Sequence, residues 1–226
     1  MASNGLNAKE YRDWIDNSIE LSDTIVLLFS QFVVGTPAYG LSKKGRDLYS
    51  HFGYKELLDY MRLKEYLLDG IEFKCCERYE ELKDEILNDE LMNFKLEFSQ
   101  PLVEKIFIFS GKFSDSSFYK DFFKSDEKDK EKEKTTQENR KIQSQQKKTV
   151  VAIDKLFYHI RNALAHGCFS IIKQDDIEFL VLQDENQNGN LSARMIIKCE
   201  TLQKWINHFQ EREKFLFDEQ EVKTDL

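Results

Sequence analysis

Ile153-Asp154-Lys155-Leu156-Phe157-Tyr158-His159-Ile160-Arg161-Asn162-Ala163-Leu164-Ala165-His166-Gly167 is the stretch whose reading decides how this chain folds. Its large apolar members, Ile153, Leu156, Phe157, Ile160 and Leu164, recur at helical spacing. At about 100° per residue they cluster around one direction, which must face a core. Gly167 follows as a natural residue for the position just past a helix end, so one helix stops there. Downstream the period changes. Phe169 to Ile172, Ile177 to Leu182 and Leu191 to Cys199 alternate or run apolar as strands do. The last two are joined by Asp184-Glu185-Asn186-Gln187-Asn188-Gly189-Asn190, which reads as a β-hairpin. Leu202, Trp205, Ile206 and Phe209 then restore the helical period in a final helix.

Upstream the pattern is helical almost throughout. Tyr11, Trp14, Ile15, Ile25, Leu28, Phe29 and Phe32 form one face of a long amphipathic helix, stopped by Gly35-Thr36-Pro37. Gly40, Gly45 and Gly53 make an irregular insert. Leu57, Leu58, Met61 and Leu68 give a second apolar stripe, with Gly70 as terminator. A third helix is expected from about Ile71 to Phe98, and the Phe- and Ile-rich segment Pro101 to Phe123 reads as a buried helix. Four or more helices are the material of a bundle. The expected fold is therefore mainly α: a helical bundle with a C-terminal β-hairpin followed by a last helix, residues 1–226 forming a single domain. Residues 124–148, a run of Lys, Asp, Glu, Gln and Ser with Ile142 as the one large apolar residue, are either a flexible charged insertion or a solvated helix extension.

Composition narrows the function classes. A formal net charge of −8 over 226 residues argues against broad, charge-driven binding of nucleic acid, so any RNA site must be a local basic patch. Cys75, Cys76, Cys168 and Cys199 contain no C-x-x-C pair, which fits neither a disulfide framework nor a zinc site and suits a reducing cytoplasm. No metal or cofactor is expected. Met1 to Glu10 does not read as a signal peptide. The most apolar run, Ile25 to Gly35, is much shorter than the ~20 residues of a spanning helix. A soluble protein without a membrane partner is expected.

Chemistry concentrates at the end of the quoted helix. On the helical wheel Asn162, His166, His159 and Lys155 lie opposite the apolar stripe. Arg161 stands at the stripe's edge, roughly 140° from His166, and its long side chain can swing toward the polar side. Asn162 and His166 are one turn apart, so the amide could orient the imidazole. His166 sits in the last turn of that helix, beside its unpaired carbonyls. An arginine, an imidazole and an amide on one helix end suit phosphodiester cleavage that uses the substrate's own 2′-hydroxyl. The histidine would move the proton while the guanidinium grips the phosphate through forked hydrogen bonds. That route needs no metal and acts on RNA alone. Lys155, Tyr158 and His159 are candidate RNA contacts. An interface or solvated role for His159, a helix-capping His166 and an ion-paired Arg161 are the structural alternatives.

Arg161-Asn162-x-x-x-His166-Gly167, at the end of an apolar helix, resembles the signature of the HEPN superfamily. Leu191 to Ile197 followed by Thr201-Leu202-x-x-Trp205-Ile206 is similar to the hairpin and last helix of one bacterial subgroup. The resemblance covers about Val150 to Phe209 and implies a HEPN-like helical bundle. It further implies a metal-independent endoribonuclease that leaves 2′,3′-cyclic phosphate and 5′-hydroxyl ends. Such proteins work as homodimers with a composite site, as toxins or in antiviral defence. By the same resemblance Arg161 stabilises the scissile phosphate, His166 is the acid–base group and Asn162 the supporting polar residue, and an antitoxin or other regulatory protein is a possible partner. The tyrosine found two positions after the histidine in the antitoxin-silenced subgroup is Cys168 here, which puts that mode of control in doubt. The alternative is a non-catalytic HEPN module that binds RNA, a nucleotide or a protein partner as a dimer.

Overall fold

A computed structural model describes residues 57–94, 101–111, 137–209 and 211. The expected helix Tyr11 to Phe32 and the first half of the charged run, 124–136, lie outside these residues. Helix α1 spans Leu57–Leu67 and turns Tyr60, Leu63 and Leu67 to the core, at the 3- and 4-residue spacing of a buried helix face. Met61 and Leu68, expected on that face, are half-buried. Gly70, at φ 73, ends the segment in a left-handed conformation.

Strand β1 (Glu72–Cys76), helix α2 (Tyr79–Asn88) and strand β2 (Lys105–Phe109) follow, with β1 and β2 paired in parallel. Helix α3 covers Gln137–Ala165, so residues 137–148 of the charged run are helical. Strands β3 (Phe169–Gln174), β4 (Ile177–Glu185) and β5 (Leu191–Lys198) pair antiparallel, and a last helix, α4, occupies residues 199–209. Asp175 and Asp176, at φ 49 and 64, make the two-residue turn between β3 and β4. Two left-handed residues are what a turn matching the strands' twist requires.

The expected mainly α bundle is overturned by a five-stranded mixed sheet in the order β1-β2-β5-β4-β3. The hairpin β4–β5 lies in the middle of that sheet and is not an appendage to a bundle. The helix expected over Ile71 to Phe98 contains β1 as well as α2, and the segment from Pro101, expected to be helical, contains β2. Ile106, Phe107 and Ile108 are fully buried, because β2 is covered on both faces. A short strand buried that way loses its alternation and reads like a piece of buried helix.

One face of the sheet, carrying Ile106, Ile108, Leu180, Leu182, Met195 and Ile197, packs with α1, α3 and α4. Phe157 of α3 meets Trp205 and Phe209 of α4 edge-on, with ring centroids 6.0 and 5.2 Å apart. The other face, carrying Phe107, Phe179, Val181 and Ile196, packs with Leu82 and Ile86 of α2 and with Leu91, Met92 and Phe94 after it. Arg194 points into that second layer and is almost fully buried. It donates to Gln183 Oε1 and to the Met92 carbonyl and lies over the Phe94 ring. Among the described residues no helix is long and apolar enough to cross a membrane.

Candidate active site

Helix α3 ends in a defined way. The amide of Gly167, at φ 69, donates to the Leu164 carbonyl at 3.1 Å, and the amide of Cys168 donates to the Ala163 carbonyl at 2.8 Å. This pair of bonds closes a helix on a left-handed residue. It frees the His166 side chain to stand exposed at the rim. The chain then turns into β3, and the Gln183 amide donates to the Cys168 carbonyl at 2.9 Å. The end of α3 therefore sits beside the end of β4.

The polar side of α3 is not a free surface. Ile153, Leu156, Phe157, Ile160 and Leu164 are buried as the wheel requires, but His159 is only 3% exposed and Asn162 only 9%. The His159 ring lies between two acceptors, Asp184 Oδ2 at 2.6 Å from Nδ1 and the Phe109 carbonyl at 2.7 Å from Nε2. A carbonyl can only accept, so Nε2 carries a proton toward Phe109 while Nδ1 faces the buried Asp184 carboxyl group, and both ring nitrogens are satisfied. His159 is thus sealed by the ends of β2 and β4 and does not face solvent with His166. The sheet absent from the helical expectation is what covers it.

Asn162 is tied to the same carboxylate. Its Nδ2 donates to Asp184 Oδ2 at 3.5 Å, and its Oδ1 accepts from Arg161 Nη1 at 3.4 Å. Both ends of the amide are engaged away from His166, so Asn162 orients the guanidinium and not the imidazole. This bond also answers where Arg161 goes: from its flank position the guanidinium turns toward the side where Asn162, and one turn later His166, project. Its Nε is buried without a hydrogen-bond partner. Arg161 and Asn162 therefore come together, and His166 lies about 6 Å further along the axis from Asn162, at four residues of helical rise.

Lys155 and Tyr158, both half-buried, form a pair of their own, the ammonium 4.9 Å from the ring centroid. Tyr158 meets His159 edge-on at 5.3 Å. Burial pushes the Cys168 thiol above its ordinary range, with the Glu185 and Asp184 carboxylates adding to the effect. It stays protonated and is a poor nucleophile.

Sequence reading missed Asp184, because it opens a polar run that reads as hairpin loop. A signal was present: Leu180, Leu182 and Asp184 stand at i, i+2 and i+4, on one strand face. The pairing slips just there, Asp184 opposite Ala193 and Glu185 opposite Leu191, leaving Ser192 as an extra residue on β5.

The family model described as HEPN pEK499 p136 matches residues 85–221, more than half of the chain and the whole of the α3 end, the hairpin and α4. No curated protein and no solved structure matches the chain.

Proposed function

The chain belongs to the HEPN pEK499 p136 family, and from that premise we propose that it is an endoribonuclease that cuts RNA through attack of the substrate's own 2′-hydroxyl. Arg161 grips the scissile phosphate, His166 removes and returns the proton, and Asn162 holds the guanidinium. The reading is supported above all by one observation. The Arg161 guanidinium is bonded to Asn162, one helical turn before the exposed His166, with its Nε buried and unpartnered. A phosphate is the acceptor such a fork suits, and charge building on its oxygens is what the fork stabilises. The route needs no metal ion and yields 2′,3′-cyclic phosphate and 5′-hydroxyl ends.

Among the described residues the His166 side chain has no hydrogen-bond partner. In this proposal a second copy of the chain completes the site, the two helix ends meeting across a two-fold axis. A toxin or antiviral effector is the cellular role that accords with such an activity.

The test is incubation of the purified chain with total RNA in EDTA, with mapping of the new ends. Wild type should cleave. His166→Ala and Arg161→Ala should each lower kcat by at least about 100-fold while remaining folded, the scale of a lost acid–base group or oxyanion donor. Activity that vanishes on chelation sinks the metal-free route. Tight RNA binding or dimerisation without any cleaved product would assign the chain to the non-catalytic modules instead.

A further inference from the structure

The His159–Asp184 pair is the most deeply buried cluster of titratable side chains next to the proposed site, and the cleavage route just described does not use it. The pair belongs to an unbroken chain of polar contacts. The Phe109 carbonyl, at the end of β2, accepts from His159 Nε2 at 2.7 Å, and His159 Nδ1 meets Asp184 Oδ2 at 2.6 Å. The same oxygen accepts from Asn162 Nδ2 at 3.5 Å, and Asn162 Oδ1 accepts from Arg161 Nη1 at 3.4 Å. The inner links are short and sealed, His159 and Asp184 being 3% and 4% exposed. The outer links are long and lead to the half-buried arginine.

We propose that Asp184 is a positioning residue for Arg161: its carboxylate, clamped by His159, fixes the Asn162 amide so that Oδ1 is presented to the guanidinium. This rests on the ribonuclease reading for its consequence, but its geometry does not. An amide has two ends, and which one faces the arginine is decided by what binds the other. A carboxylate accepts and cannot donate, so it selects the NH₂ of Asn162 and turns Oδ1 outward. An amide at position 184 could equally offer its own NH₂, let Asn162 flip, and set two donors against each other at the guanidinium. His159, spanning two acceptors, holds the carboxylate in register between α3, β2 and β4. Asp184 is out of a substrate's reach, and its influence passes through Asn162.

The proposal is read from Asp184→Asn and Asn162→Ala, singly and together, in the full chain. Two readouts are used: steady-state RNA cleavage, and the NMR signal of the Arg161 side-chain Nε–H, assigned by its loss in Arg161→Lys. Asp184→Asn should lower kcat by about 10- to 100-fold with KM nearly unchanged, as misplacement of a group acting on the transition state does. Combining it with Asn162→Ala should add almost nothing further, because both break one chain. The Nε–H signal, distinct in wild type, should move toward that of a free arginine in both variants. Additive losses that follow melting temperature, or an unmoved Nε–H signal in folded Asp184→Asn, would overturn the proposal. If Asp184→Asn does not fold, Asn162→Ala alone carries the test through the same signal. A wild type that cuts no RNA but whose Nε–H signal responds as expected would remove the ribonuclease reading and leave the positioning role standing.

Discussion

Gly167 is where backbone conformation governs the site most directly. A Cβ there would meet no atom within 4 Å, so a side chain is not excluded by crowding; its φ of 69 is what favours glycine. Gly167→Ala should therefore cost about 1 kcal/mol, with a drop of about 2–4 °C in melting temperature for a chain of this size. Gly167→Asn should cost less, since asparagine tolerates the left-handed region. Differential scanning calorimetry distinguishes this from a steric account, under which asparagine would be the worse of the two. The helix end was legible in the sequence because glycine after an apolar helical stripe has this one physical meaning. The burial of His159 was not legible. A histidine opposite the stripe reads as solvated until the carboxylate that covers it is known, and Asp184 lies 25 positions away.

Among the elements, helices with a sustained period were the readable ones. α3 declared itself through five apolar residues on one face, and β4 and β5 through alternation and a polar turn. β1 and β2 did not, because Phe73 to Cys76 and Ile106 to Phe109 are too short to show a period, and β2 is covered on both faces. The junction after α2 shows how the crossover between these two strands is held. Asp89, just past the helix, accepts from the amides of Leu91 and Met92 at 3.1 and 2.8 Å through Oδ1. Its Oδ2 pairs with Lys105 of β2, which also reaches Glu72 of β1 at 2.9 Å. One carboxylate thus caps a turn and ties it to two strands. Asp89→Ala should lower unfolding free energy by about 1–2 kcal/mol in a denaturant titration, chiefly from the two freed amides. RNA cleavage should be unchanged, because Asp89 belongs to the opposite layer from the α3 end. A loss of cleavage exceeding the loss of folded protein would contradict that separation.

The molecule as a whole has a core on each side of its sheet, and each core holds a buried thiol. Cys76 lies in the layer of α2, and Cys199 in the layer of α3. Burial pushes both from the ordinary 9.0 up to about 12. Below pH 9.0 folded and unfolded chains alike keep these protons. Above it the unfolded thiols ionise first, so stability should fall progressively from about pH 9 toward 12, and Cys76→Ala with Cys199→Ala should flatten that fall. Charge acts over the whole molecule too. At a net −8 the surface repels a polyanion except where cations gather locally. If the α3 ends of two copies supply Arg161 and Lys155 each, about four phosphates are neutralised. For single-stranded RNA the slope of log K against log salt should then be about −3, at about −0.7 per phosphate. Filter binding of a 2′-deoxy-substituted, uncleavable RNA across a range of salt measures this directly. A slope steeper than about −5 would require an extended basic track, and the RNA would then be held by more of the protein than one helix end.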